Sequence, residues 1–165
     1  MTLQVELVAY VSVIVASVGL VGAVIYYITD HRNQARMRKT DLIMRLYATF
    51  MSKEFQEADV NVIMLDVQDL AEYKDKYGPY PSEHPMHIAF RMVAAFFEAL
   101  GILLKKNLIE TDLAYEIFVV HQRWEKLWPI IRDLRTELDF PEYMDNFEYL
   151  YDETQKYRRH LAVND

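Results

Sequence analysis

Hydrophobic positions along this chain follow two regimes that meet near residue 30. From Leu7 to Ile28, 22 consecutive residues carry no charged side chain. At 1.5 Å per residue a helix of that length covers about 33 Å, enough for a hydrocarbon core of about 30 Å. Beyond residue 40 the apolar positions recur every three or four residues with polar ones between them, the spacing of amphipathic helices. A first helix is expected from Thr40 as N-cap, with Leu42, Leu46 and Phe50 on one face. A second, capped by Ser52, runs from Lys53 to about Tyr77 through Ile63, Val67 and Leu70.

Met86 to Lys106 forms a strongly apolar helix broken by His87, Arg91, Glu98 and Lys105. Charges at Arg91 and Glu98 oppose membrane insertion by about 2.5 to 3.5 kcal/mol each at mid-bilayer, so this helix reads as the core of the soluble part. Asn107 can take the left-handed position that ends it. Thr111 is expected to cap a long helix with Leu113, Ile117, Val120, Trp124, Leu127, Ile131, Leu134 and Leu138 as its seam, kinked near Pro129. Asp139 is expected to cap a last helix beginning near Pro141. The whole is an all-α chain: an N-terminal transmembrane anchor over residues 1–30, a basic juxtamembrane segment over 31–40, and a small helical bundle over 41–165 that contains a Pro-kinked long helix.

Composition sharpens this picture. The chain has 165 residues, 52% of them hydrophobic, with 4 Gly, 5 Pro and no Cys. It is too apolar for disorder and too poor in turn residues for a β fold, and it offers no thiol chemistry. The net charge of -7 divides as -2 in residues 1–30, +4 in residues 31–40 and -9 beyond. An acidic domain repels phosphate backbones, which argues against nucleic acid as a partner. Arg32, Arg36, Arg38 and Lys39 follow the apolar run directly, and positive charge stays on the cytoplasmic face. The expected topology is a single-pass protein of the cell membrane with its N-terminus outside and its domain in the cytoplasm.

Within the apolar run Ser12, Ala16, Gly19 and Ala23 place small side chains on one helical stripe, a surface that another helix can approach closely or that faces lipid. The loop Tyr77-Gly78-Pro79-Tyr80-Pro81 joins aromatic rings to a stiff backbone, a composition suited to lying on a partner protein as well as to a plain connector. Glu98 interrupts an apolar helix and must reach solvent or be paired, with Arg132 or Arg135 as the expected ion-pair partners. His84 and His87 stand beside Glu83, but Pro85 disturbs the register that would aim both imidazoles at one metal. No nucleophile has a convincing partner, no loop could cradle a phosphate, and neither a metal nor a cofactor is expected.

The stretch Phe96-Phe97-Glu98-Ala99-Leu100-Gly101-Ile102-Leu103, then Lys105-Lys106-Asn107-Leu108-Ile109-Glu110, then Trp124-Glu125-Lys126-Leu127-Trp128-Pro129-Ile130-Ile131 and Arg135, resembles a bacterial and archaeal family of short, membrane-anchored helical proteins known only as a domain of unknown function. That family typically has Gly where this chain has Asn107. The resemblance implies one N-terminal span with a helical cytoplasmic domain, and it implies no activity, substrate or cofactor. The function expected is therefore a non-enzymatic, membrane-tethered interaction protein, an accessory or regulatory subunit of a larger membrane complex. The alternatives are a helical membrane enzyme or ligand sensor with a pocket near Glu98, His121 and Arg132, and a self-associating membrane scaffold, a homo-oligomer in the bilayer.

Overall fold

A computed structural model describes residues 26–27, 30 and 37–164. The apolar run expected to span the membrane, its small-residue stripe at Ser12, Ala16, Gly19 and Ala23, and the cations Arg32 and Arg36 lie outside these residues. The chain divides into two units, Met1–Leu42 and Ile43–Asp165. The described residues are helical, with no strand among them. In chain order the helices are α1 (37–50), α2 (Lys53–Ile63), α3 (Leu70–Tyr77), α4 (Pro85–Lys105), α5 (Thr111–Phe118), α6 (Val120–Glu137) and α7 (Asp145–Asn164).

The helix starts and stops follow local chemistry. Thr40 lies inside α1, which is helical from residue 37, instead of capping it. Ser52 caps α2 as expected, its Oγ accepting from the Phe55 N–H at 3.2 Å. The single run expected from Lys53 to Tyr77 is broken between Ile63 and Leu70. Asp69 restarts the helix by accepting from the Glu72 N–H at 2.8 Å, while the Glu72 carboxylate accepts from the Gln68 N–H at 2.7 Å. Periodicity spans such a break without showing it, because the apolar spacing on either side stays in phase.

α4 has nearly the expected bounds. His84 Nδ1 accepts from the Met86 N–H at 3.1 Å, and Pro85 takes the first helical position, where its missing N–H costs nothing. At its far end Asn107 has φ 56°, and the Leu108 and Asn107 N–H groups return to the Leu103 and Leu104 carbonyls, both at 2.9 Å. This is the left-handed stop that favours Gly, with Asn tolerated. α4 is long and apolar enough to cross a membrane by length and composition, yet half of it is buried by its neighbours, chiefly α7 and α2. Phe90, Val93, Phe97 and Leu100 are fully buried in it. Each contributes about 1.5 to 3 kcal/mol, which makes α4 the axis of the core.

The long seam from Thr111 to Leu138 is the largest departure from expectation. It breaks at Val119, which has φ 43° and ψ 53°, giving α5 and α6. A β-branched residue in the left-handed region costs about 1–2 kcal/mol, so tertiary packing must impose it. Pro129 lies inside α6, which runs unbroken past it. The last helix begins at Asp145 and not near Pro141, because Asp139 (φ 49°) and Met144 (φ 60°) both turn left-handed and residues 141–144 form turns. Asp139 ends α6 by the same bonds that Asn107 uses, the Phe140 N–H reaching the Arg135 carbonyl at 3.0 Å. Phe50, Phe55, Phe96 and Phe118 meet with ring centroids 4.7 to 6.0 Å apart and join α1, α2, α4 and α5.

Candidate functional site

Three polar constellations stand out in the bundle, and the residues that resemble the family converge on the first. Glu98, half-buried on α4, aims its carboxylate at the start of α7: Oε1 accepts from Asn146 Nδ2 at 2.6 Å and Oε2 from the Phe147 N–H at 2.8 Å. A carboxylate at a helix N-terminus answers both the unpaired N–H groups and the positive end of the dipole. The ion pair expected between Glu98 and Arg132 or Arg135 does not form. Arg132 pairs with its neighbour Asp133 at 2.9 Å, and Arg135 turns to α7 from the other side. Its Nε donates to the Tyr143 carbonyl at 2.8 Å, its Nη2 reaches Asp145 at 3.1 Å and Glu148 at 2.8 Å, and its guanidinium lies 5.3 Å from the Trp128 ring centroid.

One turn beyond Glu98, Gly101 lets the backbone of α7 come close. A Cβ there would stand 1.9 Å from the Asn146 carbonyl oxygen, a position no side chain can share. Between these polar ends the rings close up. Phe147 stacks on Phe97 with centroids 5.0 Å apart and meets Trp124 edge-on at 4.9 Å, while Trp124 also stacks on Trp128 and Tyr151. The Phe-Glu-x-x-Gly run, the two tryptophans and Arg135 are thus a device for seating α7.

The second constellation is the loop over residues 78–84. Tyr80 folds inward against Tyr73, His87 and Phe90, and Tyr77 packs on Tyr73 and His84, so Pro79 and Pro81 are the exposed part of the candidate partner loop. His87 is fully buried, stacked on Tyr73 at 5.2 Å, with Nδ1 at 2.7 Å from Ser82 Oγ. Its Nε2 and the Tyr73 hydroxyl have no hydrogen-bond partner. Burial lowers the His87 pKa below the usual histidine value, with His84 and Arg91 adding to the effect, and burial raises the Tyr73 hydroxyl above the usual tyrosine range. Tyr143 is raised likewise, by burial and by the Tyr80 hydroxyl beside it. A neutral His87 that already holds Ser82 acts as the clasp of the loop.

The third was not anticipated. Asp59 on α2 and Arg123 on α6, 3% and 7% exposed, form a two-pronged pair with Nε to Oδ1 at 2.9 Å and Nη2 to Oδ2 at 2.5 Å. Arg123 Nη1 also donates to the Val119 carbonyl at 3.2 Å, where the left-handed residue ends α5. The available signal was positional: Asp59 shares the buried face of α2 with Phe55 and Val62, and Arg123 adjoins Trp124 on the seam of α6.

Glu98, His121 and Arg132 do not converge on a common space, since Glu98 is taken up by α7 and Arg132 is exposed on α6 beside Asp133. Two open grooves flank α6. At the rim of one, Lys74 is paired with Glu137 at 2.7 Å, and Asp133 accepts from the Leu70 N–H at 3.1 Å. At the other, Lys126 donates to the Leu65 carbonyl at 2.8 Å. Among the described residues no group of three or more His, Asp or Glu side chains could hold a metal ion.

No curated protein and no solved structure matches the chain. A family described as a domain of unknown function, DUF4760, matches it over residues 7–154, a stretch that takes in the apolar run, the aromatic seat and most of α7. The chain belongs to that DUF4760 family.

Proposed function

We propose that this protein is a membrane-tethered interaction protein with no catalytic chemistry of its own, in which residues 1–30 supply a single span and the helical bundle stands on the cytoplasmic side as an accessory or regulatory subunit. The observation that carries the reading is the uncharged run from Leu7 to Ile28, closed by Arg32, Arg36, Arg38 and Lys39, and the family match begins at the first residue of that run. The polar groups of the bundle support it from the other side: the carboxylates and guanidiniums described above are engaged in holding helices together. The proline edge at Pro79 and Pro81 is a second surface open to a partner.

Membrane fractionation of cells carrying the full chain, followed by an alkaline wash and protease treatment of sealed vesicles, tests the tether. The expected result is retention in the washed membrane, with the bundle cleaved only when the cytoplasmic face is accessible. Release into the soluble fraction would overturn the reading, and so would a bundle exposed on the outer face.

A further inference from the structure

The side of α4 that faces away from its neighbours is apolar along most of its length. Ile88, Met92, Ala95, Ala99 and Ile102 follow one another at spacings of 4 and 3 and are all exposed, Ile88 and Ile102 at 43% each and Met92 at 38%. They form one stripe about 21 Å long at 1.5 Å per residue, while the helix turns its other side to α2 and α7. Arg91, Glu98 and Lys105 recur at seven-residue intervals along one edge of that stripe, and Lys106 stands in line with it at the C-terminal end. Glu98 is half-buried and engaged by the first turn of α7, so the exposed charges of this helix are all positive: Arg91, Lys105 and, at the C-cap, Lys106. They stand out in a stretch, residues 41–165, whose net charge is -9.

We infer that this face of α4 is where the bundle lies on the surface of an anionic lipid bilayer. The inference rests on the tethered reading, which keeps the bundle beside a membrane, and it deepens that reading by naming the surface turned toward the lipid. Three observations select lipid as the occupant. An apolar stripe bordered by cations is the arrangement with which a helix settles in the headgroup boundary: Ile88, Met92 and Ile102 enter the upper acyl region, while the long stems of Arg91, Lys105 and Lys106 carry their charges back to the phosphates. The charge is complementary in a directional way, because an anionic leaflet attracts this cationic edge and repels the acidic remainder of the bundle, so one orientation is favoured. Finally, α4 has the length and hydropathy of a membrane span, yet half of it is held by its neighbours and Arg91 and Glu98 oppose full insertion. What remains open suits the boundary between water and lipid and not the bilayer interior. A tethered bundle meets that boundary at high effective concentration, so a face of modest area is sufficient to dock it.

The chain has no cysteine, so a single cysteine carries a fluorescent label without a background. The full chain bearing Met92→Cys or Ile102→Cys, against Glu125→Cys and Thr136→Cys at exposed positions of α6, is labelled and reconstituted into vesicles of phosphatidylcholine mixed with phosphatidylglycerol. Quenching is then measured with a phospholipid that carries a nitroxide high on its acyl chain, and separately with aqueous iodide. Labels on α4 are expected to be quenched several-fold more by the nitroxide lipid than labels on α6, and less by iodide. Vesicles of phosphatidylcholine alone should reduce the difference, and so should Lys105→Gln combined with Lys106→Gln. Ile88→Glu should abolish it for the label at Ile102→Cys with the unfolding temperature unchanged, because Ile88 is exposed. Equal quenching on the two helices would overturn the docking. So would α4 labels shielded from iodide yet untouched by the nitroxide, since protein then covers the stripe, and so would quenching indifferent to phosphatidylglycerol and to the lysines. These outcomes leave the tether standing if the chain stays with the vesicles through an alkaline wash. A chain that the wash removes, after its α4 labels had been quenched in place, would overturn the tether and keep the docking.

Discussion

At the scale of single residues, the strongest constraints are buried charges and strained backbone. Asp59 and Arg123 leave water only because each satisfies the other through two bonds. Removing one partner strands the remaining charge, so Asp59→Ala or Arg123→Ala should each lower unfolding stability by about 3–5 kcal/mol. Asp59→Leu combined with Arg123→Met should recover most of that loss, because well-packed apolar replacements often equal or exceed a buried ion pair. Denaturant unfolding of the four variants settles this, and a double variant as weak as the singles would refute it. His87 gives a pH dependence of defined sign. Its pKa is lowered on folding, so the unfolded chain binds the proton more readily. Its contribution is intact above the ordinary histidine value of 6.5 and is lost as pH falls below it, down to the folded-state value. The decline in stability below that value should be shallower in His87→Leu. An identical profile in the two proteins would show that the His87 pKa is not lowered on folding.

At the scale of elements, α7 depends on how closely it can approach α4. Gly101→Ala places a methyl group where the Asn146 carbonyl lies, and backbone cannot yield as a flexible side chain does. The expected loss is about 1–3 kcal/mol from overpacking, with α7 amides exchanging faster in hydrogen exchange while those of α2 and α3 change less. Uniform acceleration across the bundle would mean that α7 has no separate opening. The sequence made much of this architecture legible. The inward faces of α4 and α6 follow the 3.6-residue period, and the caps at Ser52 and Asn107 are conventional choices. Chain breaks were hidden. Val119 has neither the residue type nor the flanking polarity of a helix end, because its left-handed turn is set by packing and by Arg123 at its carbonyl. The partner of Glu98 was hidden for a similar reason: backbone N–H groups appear in no charge pattern, so the arginines were the visible candidates and the first turn of α7 was not.

At the scale of the whole molecule, the family-like residues form a structural seat that brings α4, α6 and α7 into one packed unit. Deleting residues 145–164 should therefore do more than shorten the protein. It uncovers Phe97 and Leu100, both fully buried, and orphans Glu98 and Arg135 together. The truncated chain is expected to lose cooperative unfolding and to bind hydrophobic dyes, whereas a cooperative transition with little dye binding would show that the remaining helices form a core without α7.

The dependence of α4 on α7 has a consequence for synthesis. α4 leaves the ribosome well before α7, so the most apolar helix of the bundle exists for a time without its cover, in a nascent chain that on the proposed reading begins with a membrane span. With the proposed N-terminal span, the chain during that interval would carry two segments long and apolar enough to enter a bilayer. Arg91 and Glu98 are the charges that raise the barrier to that outcome, at about 2.5 to 3.5 kcal/mol each near mid-bilayer. With the proposed tether, Glu98 has two parts in the life of one molecule: first as a charge that opposes the insertion of α4, and later, once α7 has been made, as the group that receives the helix that covers it.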